Sequence, residues 1–178
     1  SGVGKTCLIA SFYKQSFDFK MNASVAPACS FSNIRNSHGV NVRLQIWDTA
    51  GQEKYLAVNQ LFFRDADVAL VCFEPDDHTS IDAIGSWVER VKVEVPACEL
   101  LFVMTKSDLK TSEEIEKIKK TVEPIISQYN PKTIYITSAL TRQGVNEVFC
   151  AAADTFKPKA LSRTAPGTNI ADTKKKSN

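Results

Sequence analysis

The run Ser1-Gly2-Val3-Gly4-Lys5-Thr6 is the back half of a G-x-x-x-x-G-K-[ST] phosphate-binding loop, and it decides how the rest of the chain is read. Gly2 and Gly4 let backbone N–H groups close around phosphate oxygens, Lys5 can reach the β/γ oxygens, and the Thr6 hydroxyl suits Mg²⁺. A helical pattern over 5–14 follows, and the positive end of a helix dipole favours an anion at that place. The first glycine of the motif and the strand that would feed it are absent, and position 1 is not Met. The expectation is a biological N-terminus that lies elsewhere.

Working outward, Trp47-Asp48-Thr49-Ala50-Gly51-Gln52-Glu53 closes an apolar strand pattern at 44–47. An acid at such a strand end is where a P-loop protein holds Mg²⁺ through water. Gly51 lets a backbone N–H approach a terminal phosphate, and Gln52 is placed to orient a water. A lone D-x-x-G is an ordinary turn; seven consecutive residues of this kind are a stronger signal.

Thr105-Lys106-Ser107-Asp108 follows the apolar run 100–104. A carboxylate there can accept hydrogen bonds from N1–H and the 2-amino group of guanine. Adenine lacks both donors and would leave Asp108 buried and unpaired, which is costly. The Lys106 stem can cover one face of the base. A surface turn carrying a Lys-x-Asp pair is the alternative, and the strand-end position favours the base-reading role. Ser138-Ala139-Leu140, after 134–137, offers backbone N–H groups to the guanine oxygen. Those three residues carry weight only because the other motifs precede them in order.

Composition fits one domain with a sizeable core: 178 residues, 43% hydrophobic. A formal charge of +2, with Lys174-Lys175-Lys176 as the main local excess, argues against nucleic acid as a partner. Five scattered cysteines, without metal or disulfide spacing, predict reduced and mostly buried thiols in the cytosol. No apolar run approaches the roughly 20 residues of a membrane span, and no signal peptide is visible.

Segments 29–35 and 40–47 read as an antiparallel ribbon turning at Ser37-His38-Gly39. Runs 67–73 and 100–104 have the continuous apolar character of strands buried on both faces, with 134–136 a weaker third. Helical patterns lie over 79–93, 112–128 and 145–156, and Pro124 is expected to kink or restart the second of these. His38 and His78 read as solvated. Pairs Glu113–Lys117 and Glu116–Lys120 mark an ordinary solvated helix face. Strand–helix alternation predicts an α/β doubly wound sheet with ligands at the carboxyl ends of its strands. Residues 158–178 read as a polar, disordered tail.

In these four motifs and their order, the chain resembles a small GTPase of the Ras superfamily, closest to the Rab branch. The resemblance covers 1–157. Leu61-Phe62-Phe63-Arg64, Ala66-Asp67 and the Ser1 of the phosphate loop are Rab-like, while Thr105-Lys106-Ser107-Asp108 and Ser138-Ala139-Leu140 are closer to the Rho branch. The fold implied is a P-loop small G-domain: a mostly parallel doubly wound sheet with one antiparallel edge strand, its first strand missing from this chain.

The resemblance implies GTP or GDP contacts from Ser1, Gly2, Val3, Gly4, Lys5, Thr6 and Cys7, from Phe17 against the guanine edge, and from Ser24 and Gly51. It implies further contacts from Thr105, Lys106, Asp108, Ser138, Ala139 and Leu140. Mg²⁺ would be held by Thr6, Ser24 and Asp48, and catalysis would rest on Gln52 and Lys5. The family's switch Thr-Ile-Gly is here Ser24-Val25-Ala26, followed by Pro27; the serine lacks the methyl that helps fix a threonine rotamer.

Slow hydrolysis accelerated by a partner, effectors, an exchange factor and a GTPase-activating protein are also implied, in vesicle transport. The expected setting is cytoplasmic, with peripheral contact to endomembranes. Rab-like proteins usually end in prenylated cysteines, whereas the last cysteine here is Cys150. Truncation and a prenylation-independent protein both stay open. A GTP-binding scaffold with little hydrolysis, an incomplete product that binds nothing, and an ATP-using P-loop enzyme are the alternatives.

Overall fold

The computed structural model of the chain describes residues 2–15, 28–49 and 65–156. Its helices and strands are α1 (Lys5–Phe12), β1 (Ala28–Arg35), β2 (Asn41–Asp48), β3 (Val68–Phe73), α2 (His78–Asp82), α3 (Ile84–Glu94), β4 (Glu99–Met104), α4 (Ser112–Ile126), β5 (Ile134–Ile136) and α5 (Val145–Asp154). Short 3₁₀ turns at Ser107–Leu109 and Ser127–Tyr129 follow β4 and α4.

The strands make two sheets. β1 and β2 pair antiparallel, with Ala28 opposite Asp48 and Arg35 opposite Asn41. β3, β4 and β5 pair parallel, in that order. Among the described residues no backbone ladder joins β2 to β3. The described strands thus give the α/β arrangement expected of a small G-domain, a parallel sheet and an antiparallel ribbon, and the ribbon packs on α1 and α5. Asn36 ties the ribbon turn: its side-chain oxygen accepts from the His38 and Val40 N–H groups, while Gly39 adopts φ +75°.

β4 is the centre of the core because its side chains alternate between two apolar layers. Phe102 and Met104 join Val71 and Phe73 against Ile84 and Val88 of α3 and Val122 and Ile126 of α4. Leu101 and Val103 face the other way, onto Leu8 of α1 and Val145, Val148 and Phe149 of α5. Each such fully buried side chain contributes about 1.5–3 kcal/mol of transfer free energy. The two-layer burial explains why these strands read as continuous apolar runs.

Several boundaries differ from the sequence pattern. α1 stops at Phe12 because Lys14 turns left-handed (φ +57°) and the Lys14 and Gln15 N–H groups fold back onto Ser11 and Ala10. The pattern at 79–93 is two helices with Ala83 between them; Ala83 stays right-handed (φ −77°, ψ −9°), with its N–H on the Thr79 carbonyl and its own carbonyl on the Trp87 N–H, both at 3.1 Å. Pro124 does not interrupt α4; it lies in the last turn, where it deprives only the Lys120 carbonyl of a helical donor. On the same helix Glu116 pairs with Lys119 at 2.6 Å, instead of with Lys120. None of the five cysteines is in a disulfide; Cys98 is buried, Cys7, Cys72 and Cys150 are half-buried, and Cys29 is exposed. The expectation of mostly buried thiols is met in full only at Cys98, since three thiols are half-covered and β1 shows its Cys29 face to solvent. His38 and His78 are exposed, as expected.

Candidate functional site

The loops that leave the carboxyl ends of β3, β4 and β5 converge with the segment that enters α1, which is where parallel α/β sheets bind ligands. Gly2 and Gly4 both adopt left-handed backbone, φ +85° and +87°. A Cβ on Gly4 would meet Lys106 Cε and the Thr105 side chain only at 3.9 Å, so conformation, more than crowding, calls for glycine there. Gly4 caps α1 without a side chain, which keeps a competing acceptor off the helix mouth, and its carbonyl receives the Leu8 N–H at 2.9 Å. Lys5 stands half-buried at the first position of the helix.

Val3 is buried, and its carbonyl accepts from the Thr105 hydroxyl at 2.6 Å. That hydroxyl has one proton, and the Phe73 carbonyl 3.1 Å away is already served by the Thr105 N–H at 2.9 Å. Thr105 is therefore spent on joining the phosphate loop to β3. Its hydroxyl proton is engaged there, which leaves the oxygen lone pairs as what the side chain can offer a ligand.

Thr6 donates its hydroxyl to Asp48 Oδ2 at 2.7 Å, bringing α1 and the end of β2 together. A hydroxyl oxygen beside a carboxylate is the hard-oxygen donor set that Mg²⁺ takes, with the hydroxyl proton directed away from the metal. These residues fit the ion. Lys5 and Asp48 also act on Cys72 of β3: burial pushes its thiol up to about 12, the Lys5 ammonium pulls it down, and the Asp48 carboxylate adds to the rise.

On the base side, Lys106 is left-handed (φ +51°) and its ammonium pairs with Glu74 at 2.6 Å. Asp108 is exposed, with one oxygen accepting the Ser138 hydroxyl at 2.5 Å. The expectation of a buried Asp108 is corrected: its penalty against adenine operates only once a base covers it. The Ser138 N–H is also spoken for, donating to the Gln143 carbonyl at 3.0 Å. Among the described residues the Ala139 and Leu140 N–H groups have no acceptor, so they, and not Ser138, can meet a base oxygen. Cys7 is half-buried on α1. Ser1, Phe17, Ser24, Gly51 and Gln52, together with 61–64 and the tail 158–178, lie outside the described residues.

Sequence reasoning missed Glu74. Its signal is an acid directly after the apolar strand, in Phe73-Glu74-Pro75-Asp76-Asp77.

Fold and site together define a P-loop nucleotide-binding domain of the small G-domain type. The sequence profile of the Ras family matches residues 1–157. Ras-related protein Rab-24 of Dictyostelium discoideum is 32% identical over 95% of this chain and 81% of its own length. Ras-related protein Rab-4 of the same organism is 34% identical over 88% and 75%. Rho-related protein racE, also from Dictyostelium discoideum, is 32% identical over 85% and 71%. The chain belongs to the Ras family of small GTPases, whose members bind GTP or GDP with Mg²⁺. Among the described residues no helix is long and apolar enough to cross a membrane.

Proposed function

We propose that the chain is a Rab-like guanine-nucleotide switch that hydrolyses GTP to GDP in vesicle transport, at the cytosolic face of endomembranes. The observation that carries the reading is the joining of three motif loops: Thr105 holds Val3 of the phosphate loop, and Ser138 holds Asp108 of the base loop. Thr6 and Asp48, with Ser24, would hold Mg²⁺, which supplies charge neutralisation at the β/γ oxygens when bound. Lys5 neutralises charge at the same oxygens, and Gln52 orients the attacking water. Asp108 accepts the guanine donors, and the Ala139 and Leu140 amides meet its oxygen. The γ-phosphate contacts order the switch segments and hydrolysis releases them to effectors, with exchange and activating proteins setting the rates.

Displacement of fluorescent GDP, in the presence of Mg²⁺, tests the reading. Unlabelled GTP is expected to displace it and ATP is not. Equal displacement by ATP would end the guanine assignment. Ser24-Val25-Ala26-Pro27 in place of the family's switch sequence favours a second reading, a GTP-binding scaffold with little hydrolysis. Single-turnover phosphate release separates the two.

A further inference from the structure

We propose that Glu74 is a positioning residue for the base-reading loop: it holds the Lys106 ammonium away from Asp108, and so slows release of bound guanine nucleotide. This rests on the guanine reading above. Lys106 and Asp108 are two residues apart, close enough for an unrestrained lysine to compete with a base for the carboxylate. In the structure that competition is removed from both sides. Lys106 pairs with Glu74 at 2.6 Å, and Lys110 pairs with Asp76 of the same loop at 2.5 Å. Among the described residues no cation pairs with Asp108; its only hydrogen-bond partner there is the neutral Ser138 hydroxyl.

Glu74 is built to do this. Its N–H donates to Ser80 Oγ at 3.0 Å, and that hydroxyl donates to the Asp77 carbonyl at 2.8 Å. Asp77 in turn caps α2 by accepting the Ser80 N–H at 3.2 Å. The Glu74 side chain is 18% exposed and that of Lys106 36%, so the anchor is the more sheltered partner. The pair also holds the Lys106 stem near Gly4, and Lys106 keeps a left-handed backbone that a residue with a Cβ seldom adopts.

The test is GDP dissociation from the full chain, followed with fluorescent GDP in wild type, Glu74→Gln, Lys106→Met and the double variant. Glu74→Gln is expected to speed dissociation about three- to tenfold, the range of a partly exposed charged hydrogen bond. In the Lys106→Met background the same substitution should add nothing, because the lysine through which Glu74 acts is gone. An unchanged rate in Glu74→Gln would overturn the proposal, as would an equal acceleration in both backgrounds, which is the mark of a merely structural role. If Glu74→Gln does not fold, Glu74→Asp, which keeps the charge one methylene short, is read by the same cycle. Failure of wild type to bind GDP at all would overturn the guanine reading, and the proposal with it, before any variant is compared.

Discussion

The base side and the phosphate side of the site are held by different kinds of bond. On the base side the parallel ladder continues past the strands themselves. Thr105 N–H donates to the Phe73 carbonyl, Thr137 N–H and Oγ1 both to the Met104 carbonyl, and Ser107 N–H to the Thr137 carbonyl, at 2.8–3.0 Å. Thr105, Ser107, Thr137 and Ser138 are all buried. On the phosphate side, β2 meets α1 through the Thr6–Asp48 bond and apolar contact of Leu44 and Ile46, with no ladder to β3 among the described residues. Buried backbone bonds cannot be released without leaving polar groups unpaired, whereas a side-chain pair can part and be solvated. Among the described residues the base half is thus tied by buried backbone bonds, and β2 is tied to α1 by a side-chain bond and apolar packing.

Gly144 offers the hardest blow to the base half. It sits at φ +68° at the start of α5, and a Cβ there would lie 2.0 Å from the Ile136 carbonyl oxygen, at the end of β5. Neither group can swing aside, because both are backbone. Gly144→Ala is expected to destabilise the fold by about 3 kcal/mol or more in urea unfolding. A loss under about 1 kcal/mol would mean that the loop carrying Ser138 yields easily, and the contrast between the halves would fall.

Thr105 is where the two halves touch, so replacing it sharpens the contrast. Thr105→Val keeps the shape and removes the hydroxyl, leaving the buried Val3 carbonyl without its 2.6 Å donor while the Phe73 carbonyl keeps the backbone N–H. The expected loss is about 1–2 kcal/mol in urea unfolding, with weaker GDP binding because the phosphate loop loosens. Stability lost with GDP affinity unchanged would show that the phosphate loop does not depend on this tie.

How much of this was legible follows from which forces act locally. β4 stands out as an apolar run because burial on both faces leaves no room for polar residues, and β3 does so with Val71 and Phe73 buried and the rest half-buried. Gly2, Gly4 and Gly39 were readable because left-handed backbone selects glycine. The loops of the base half were placed by position after a strand, and Asp108 and Ser138 do meet. The partner choices were not legible: Lys106 reaches Glu74 across 32 positions, and Ser138 reaches Asp108 across 30. Such pairs are fixed by the packing of parallel strands, to which no local pattern responds. Lys14 and Lys106 in left-handed backbone escaped notice for a related reason, since tertiary context overrode their preference. The division of the 79–93 pattern at Ala83 left no breaker residue at that position to read.

The smallest expected effect concerns the ribbon's own attachment to α5. Asp154 Oδ1 accepts the Ser37 N–H of the ribbon turn at 2.9 Å. Burial pulls the Asp154 carboxyl upward, but the hydrogen bonds from Ser37 outweigh it, with help from positive charge on His38 and Lys132, and the net direction is down. A carboxyl lowered on folding contributes stability that is complete above its unfolded value and is lost as pH falls through its folded value. The window therefore lies below about pH 4, where carboxylates take up protons. Asp154→Asn keeps an oxygen for Ser37 but carries no charge, so it is expected to cost about 0.5 kcal/mol at pH 7, the scale of an accessible pair. Urea midpoints at pH 7 and pH 3 should show that difference shrinking toward zero in acid. A difference that stays constant with pH would mean the charge on Asp154 does nothing for the attachment, leaving it to the Asn36 side chain on the Ala153 carbonyl at 3.5 Å and to apolar packing of Ile34, Leu44 and Ile46.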